Sequence, residues 1–205
     1  MLVCTLLPLV KDKLADTTSS QNYRAIASGS LLLKLLDIVI LLLEGDKLHC
    51  DQLQFGFQAG ASTSMYSWTA TTVIEHYNRN GTTVYGCAMD LSKTFDLVEW
   101  LSLFRLLKEK GISPIFLRIL LCVYRNQTCD VNWNSSYSFR FPVTNGVRQG
   151  AVSSPLLFSI YIDGLISLLG ILALAVVLTH SSMESLGMQM ICCCCLLAGQ
   201  GCRPW

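Results

Sequence analysis

Charge is what this chain has least of. Only 14% of its 205 residues are Asp, Glu, Lys or Arg, while 52% are hydrophobic; soluble domains usually carry roughly 25% charged residues. Neither sign prevails, since 15 basic residues stand against 14 acidic ones for a net charge of +1. Proteins that grip nucleic acid normally show a basic excess, because neutralising phosphates releases counterions, and the whole chain offers none. No cleavable leader is expected, since "MLVCTLLPLV" has no cationic start and runs into "KDKLAD" without a small-residue cleavage site, so the expected address is intracellular. Long uninterrupted apolar runs are lacking too. "SLLLKLLDIVILLLEGDKL" is broken by Lys34 and Asp37 before it reaches the ~20 residues a membrane span needs, and reads as a buried helix.

What is present fits one domain, or one and a part, with a sizeable core. Cysteine is plentiful at 10 residues, but Cys4, Cys50, Cys87, Cys122 and Cys129 stand singly among apolar neighbours. That pattern suits reduced, partly buried thiols better than a disulfide framework.

Along the chain, "TVYGCAMDL" is a short apolar run between "NRNG" and "SKTFD", as a buried strand requires. "LVEWLSLFRLLKEKG" has helical periodicity with a glycine at its C-terminal cap, and "SPIFLRILLCVYRNQ" opens a second helix on Ser113 and Pro114. "CDVNW", "NSSY" and "SFRFPV" read as a two-stranded hairpin, "TNGVRQG" as a loop, and "SSPLLFSIYIDGLISLL" as a helix starting at Ser154 and Pro155. The order helix, strand, helix, helix, hairpin, loop, helix makes an α/β (α+β) fold without internal repeats. Trp100 and Trp133 are expected to pack, Glu75 and His76 to form a surface pair, and Asp163 to be an exposed helix residue.

The chemistry centres on Asp90, a carboxylate leaving a buried strand. Such a residue is often a turn or cap; a rigid strand carboxylate is also what a polymerase needs to hold the metal ions that bridge a triphosphate and a primer 3′ hydroxyl. Four blocks decide between these readings: "NYRAIA" at Asn22 to Ala27, "QFGFQAGAST" at Gln54 to Thr63, "MDLSKTFDLVEW" at Met89 to Trp100, and "NGVRQGAVSSPLLF" at Asn145 to Phe158. In this order they resemble the motifs of LINE-type (non-LTR retrotransposon) reverse transcriptases. The resemblance implies the fingers and part of the palm of a right-hand polymerase over residues 1–169, with the first catalytic motif at about 83–97 and no thumb. In the family, an RNA-directed DNA polymerase, or nucleotidyltransferase, works with an RNA template, a DNA primer, dNTP and Mg2+.

The same resemblance assigns roles. Asp90 becomes a catalytic metal ligand, with the Leu91 carbonyl beside it. Phe95 matches the bulky residue set under the nucleotide sugar, where a ring would clash with a ribose 2′ oxygen; it could equally be core. Arg24 matches a triphosphate clamp and Lys11 its companion, with solvated surface cations as the alternative. Gln149 and Gly150 match the loop lining the nucleotide pocket, and glycine there also suits a tight turn.

Two further aspartates are expected from a downstream hairpin of the form Tyr, any residue, Asp, Asp, and the chain has no such motif. Its last stretch, "GMQMICCCCLLAGQGCRPW", cannot readily ligate zinc through adjacent cysteines. The uncharged run Gly164 to Thr179 offers an alternative function, a small membrane-associated protein anchored there, although its sixteen residues fall short of the ~20 of a span. The genetic code supplies a third reading. Taking codons from each present codon's third base, Met188 into Gln189 gives Ala, Gln189 into Met190 gives Asp or Asn, Met190 into Ile191 gives Asp, Ile191 into Cys192 gives Leu or Met, and the cysteine run gives three leucines. Gly187 into Met188 gives Tyr if the glycine codon ends in T. Residues 170–205 are therefore expected to be an out-of-frame tail that replaces the catalytic hairpin, leaving a pseudogene-like chain without activity.

Overall fold

The computed structural model describes residues 2–14, 16–51, 54, 56–57, 60, 62–81, 87–91, 93–172, 175–180 and 189–195. The chain divides into two units, residues 1–49 with 93–161, and residues 50–92 with 162–205.

The first unit is built on a mixed sheet. Strand β1 (Leu2–Val10) lies between β2 (Tyr23–Ser28), to which it is antiparallel, and β4 (Gln127–Trp133), to which it is parallel. Cys4 stands beside Cys129 across the parallel ladder, and both are buried. Both β1 and β2 escape the sequence reading. The expected hairpin forms at Asn134 and Ser135, whose φ angles of 48° and 65° match the positive pair that two-residue hairpin loops require. Its return strand is split: β5 (Ser136–Tyr137) and β6 (Phe141–Pro142) both pair with β4.

Helix α1 (Leu31–Glu44) starts where the Ser30 hydroxyl accepts the Leu33 N–H, an N-cap that satisfies one of the free donors of the first turn. It was expected to be buried all round, and it is not. Its inward residues are Leu33, Asp37, Ile40 and Glu44; Leu31, Leu32, Leu35, Ile38, Val39, Leu42 and Leu43 are exposed. The two acids can face inward because both are satisfied. Asp37 meets Arg148 at 3.4 Å, and Glu44 accepts from Lys47 at 2.6 Å and from the Ser113 N–H at 3.3 Å.

Helices α3 (Trp100–Glu109) and α4 (Pro114–Arg125) are amphipathic and bury Leu103, Leu107, Leu120, Val123 and Tyr124. Between them Gly111 takes φ 80°, the left-handed stop that helix ends favour, and Pro114 opens α4 in its first turn. Tyr124 makes T-shaped contacts with Trp100 and Phe104 at ring separations of 5.5 and 5.8 Å. Helix α5 (Ser154–Leu172) gives its residues up to Tyr161, among them buried Leu157, Phe158 and Ile160, to this unit.

The second unit holds α2 (Thr63–Arg79), the rest of α5 and an antiparallel sheet of β3 (Cys87–Leu91), β8 (Gln189–Cys195) and β7 (Ala175–His180), in the order β3-β8-β7. Ser62 caps α2 through the Met65 N–H at 3.3 Å. The Glu75 and His76 pair is exposed as expected, with Glu75 holding Arg79 at 2.8 Å. Asp163, expected to be an exposed helix residue, is instead a tie: it accepts the Asp51 N–H at 2.6 Å and Gln54 Nε2 at 3.3 Å, and Ser167 donates to Asp51 at 2.9 Å. The apolar run Gly164 to Thr179 does not continue as one helix, because α5 ends at Leu172 and β7 begins at Ala175. Among the described residues no helix is long and apolar enough to cross a membrane. The sequence between Ala175 and Cys195 carries no hairpin signal, yet it pairs as β7 and β8.

Candidate functional site

In the first unit the loop "TNGVRQG" is strapped onto the segment that opens α3. The Val147 N–H donates to the Phe95 carbonyl at 2.7 Å, the Gly146 N–H to the Val98 carbonyl at 2.8 Å, and Trp100 Nε1 to the Gly146 carbonyl at 2.8 Å. Gly146 has φ 83°, and a Cβ there would lie 2.8 Å from the Phe95 carbonyl and 2.9 Å from Asp96 backbone atoms. Only glycine allows this approach. On the other side the Ala27 N–H of β2 donates to the Gln149 carbonyl at 2.7 Å, while a Cβ on Gly150, φ 102°, would meet the Ala27 carbonyl at 3.2 Å. The loop is thus pinned between the α3 entrance and an edge of the sheet.

Its side chains diverge. Gln149 turns to Asp96, with Nε2 3.3 Å from Oδ1. These two, with Ala25, Ala27, Cys129 and Phe141, are among the residues that line a cleft of about 280 Å³. Arg148 turns inward to Asp37, its Nη2 3.4 and 3.5 Å from the two carboxylate oxygens, and its Nε has no hydrogen-bond partner among the described residues. The guanidinium also lies close to Cys4: a Cβ on Gly29 would touch both side chains at 3.5 Å. A hydrogen bond from Cys129, with the Arg148 charge behind it, lowers the Cys4 thiol to about 6 against the opposing effect of burial. The Cys129 thiol, donor in that bond and itself buried, is pushed up.

Of the residues singled out from the sequence, Phe95, Gln149 and Gly150 share this loop system. The Phe95 ring lies against Phe158 at 5.2 Å. Arg24 sits half-buried in β2 opposite Leu9, three residues from the Gln149 contact, and Lys11 follows the end of β1 one residue beyond the Val10–Tyr23 pair. Lys11 is exposed and donates from Nζ to the Gln21 carbonyl at 2.9 Å. Trp100, read as packing, also holds a loop carbonyl; Trp133 is half-exposed and meets Tyr23 edge-on at 5.0 Å. Asp37, Asp96 and Gly146 were missed altogether. The two aspartates and the glycine each look ordinary in sequence, and only the folded chain brings them to Arg148, Gln149 and Phe95.

Asp90 and Leu91 belong to the second unit, on β3. In the β3–β8 ladder Asp90 stands opposite Met190, Leu91 opposite Gln189, and Met89 opposite Ile191. Two magnesium ions need several hard oxygen donors, and the sequence places no second carboxylate at the positions paired with Met89, Asp90 and Leu91.

Comparison with known proteins places the chain. A family model described as reverse transcriptase (RNA-dependent DNA polymerase) matches residues 11–173. The Pol polyprotein of a type-2 retrotransposable element from Drosophila melanogaster is 25% identical over 146 residues, covering 71% of this chain and 14% of that protein. Among solved structures, apo telomerase from Candida tropicalis, truncated from its C-terminal domain, superposes with a TM-score of 0.56 at 13% identity, over 84% of this chain and 41% of that one. The likeness to telomerase is one of fold, and its mixed α and β architecture is the one expected from the sequence. The present chain therefore spans a small part of its curated relative. On the match over residues 11–173, the chain belongs to the reverse transcriptase (RNA-dependent DNA polymerase) family.

Proposed function

We propose that this chain is a fingers-and-palm fragment of a LINE-type reverse transcriptase, of retrotransposon origin, that does not polymerise DNA as translated. The observation that carries the proposal is the β3–β8 register. Asp90, the first catalytic carboxylate by family resemblance, faces Met190 across the ladder, and in-line phosphoryl transfer through two metal ions needs further carboxylates at that place. The codon pairs that read as Asp in the alternative frame are 189 with 190 and 190 with 191, the same positions that face Leu91, Asp90 and Met89. The family match ending at residue 173 supports a frame change near Gly170, with residues 170–205 as its product.

In the ancestral enzyme the RNA template, DNA primer and dNTP would meet this chain at the loop of Gln149 and Gly150, with Arg24 and Lys11 toward the triphosphate and Phe95 near the sugar. Here those residues bind and orient at most, because the positions paired with Asp90 and its neighbours carry no further carboxylate. A primer-extension assay with an RNA template, a DNA primer, dNTP and magnesium tests the proposal on the purified chain. Product no greater than in a reaction without protein is expected, and template-dependent extension abolished by Asp90→Asn would refute it.

A further inference from the structure

The apolar stripe of α1 points away from the core. On a helix of 3.6 residues per turn, buried Leu33, Asp37, Ile40 and Glu44 share one side, while Leu31, Leu35, Ile38 and Leu42 run down the opposite side. The outward four are spaced 4, 3, 4, which is the seam that paired helices present to one another. With three aliphatic neighbours they are 40–79% exposed, and no charged residue interrupts them, Lys34 standing at the margin. Together the seven expose roughly 700 Å², more than the 300–600 Å² of the largest patch on a typical monomer, and the four seam residues alone expose about half of the ~800 Å² each partner contributes to a standard interface.

We infer that α1 is the contact surface of a homodimer, in which two copies pack this seam antiparallel about a two-fold axis. The spacing reads the same in both directions, so a second copy matches it residue for residue: Leu31 meets Leu42 of the other copy, and Leu35 meets Ile38. That self-complementarity is what an isologous interface requires. A lipid surface is the poorer occupant, because membrane-surface helices flank their apolar face with Lys and Arg, and α1 has Lys34 alone while its acids face the core. The inference is independent of any polymerase chemistry.

Sedimentation equilibrium of the full chain from one to tens of micromolar tests it, with urea unfolding as the control for folding. A reversible monomer–dimer equilibrium is expected. Leu42→Lys, at a site 79% exposed, raises the dissociation constant at least about tenfold without moving the unfolding midpoint of the monomer, while Leu101→Lys, 68% exposed on α3, leaves dimerisation unchanged. Chains carrying Leu35→Lys and Ile38→Glu are each monomeric alone and associate when mixed. A single monomeric species throughout, a dimer indifferent to Leu42→Lys, mixed variants that stay apart, or binding to anionic phospholipid vesicles in place of self-association would overturn it.

Discussion

At the scale of single residues, two positions hold the candidate loop in place by different physics. Gly146 does so by having no side chain: with φ 83° and backbone atoms within 3 Å of any Cβ, Gly146→Ala must move either the loop or the entrance of α3. A loss of about 3 kcal/mol is expected, the sum of left-handed strain and backbone displacement, measured by urea unfolding. Gly45→Ala is the contrasting case. Its φ of −55° is helical and nothing lies within 4 Å of the added methyl, so a gain of about 0.5 kcal/mol is expected from the restricted unfolded chain.

Arg148 and Asp37 act through charge. Both side chains are buried, 5% and 2% exposed, and removing one partner strands the other in a medium that solvates it poorly. Asp37→Ala is expected to cost about 3 kcal/mol, whereas Asp37→Leu combined with Arg148→Met recovers at least about half of that, because an apolar pair has no desolvation cost to recover. Equal losses in the single and double variants, again by urea unfolding, would mean that the pair is not coupled. Neither Gly146 nor Asp37 could be picked out of the sequence. A glycine in "TNG" and an aspartate inside a leucine-rich helix acquire meaning only when the fold brings Phe95 and Arg148 to them.

At the scale of elements, sequence patterns were legible where polar and apolar residues follow the wet and dry faces and obscure where apolar residues occupy both. Helices α3 and α4 alternate cleanly and end on Gly111 and begin on Pro114, and both were readable. β1 is apolar along nearly its whole length although Leu7, Leu9 and Val10 are exposed, so its sequence shows no period of two, and β2 was noticed only as the motif "NYRAIA". The composition of α1 suggested burial all round, but its fate was decided by two satisfied acids. One of them makes a pH test. Lys47 holds the Glu44 carboxyl below its ordinary value of 4.5, chiefly by a hydrogen bond, with the Ser113 N–H adding to the effect against burial. A group whose folded value is depressed stabilises fully above its unfolded value and loses that contribution as pH falls through the folded one. The stability advantage of the wild-type chain over Glu44→Gln is therefore expected to be constant above about pH 4.5 and to shrink below it, as read from thermal midpoints across pH 3 to 7.

At the scale of the whole molecule, the family could be read from four motifs in order, and the proposed inactivity rests on one motif that is not there. What the sequence could not supply was how the tail pairs. The tail has no hairpin signal, yet its backbone forms β7 and β8 and lies against β3, with Met190 opposite Asp90. The scarcity of charge belongs to the same scale, in a chain that spans 14% of its curated relative.

The central claim is that β8 is a catalytic strand read in the wrong frame, and the nucleotide sequence of codons 160 to 205 tests it most directly. The account predicts a Gly187 codon ending in T and a Gln189 codon of CAG, so that the alternative frame reads Tyr, Ala, Asp, Asp followed by an apolar run. A Gln189 codon of CAA, or a Gly187 codon ending in any other base, would contradict it.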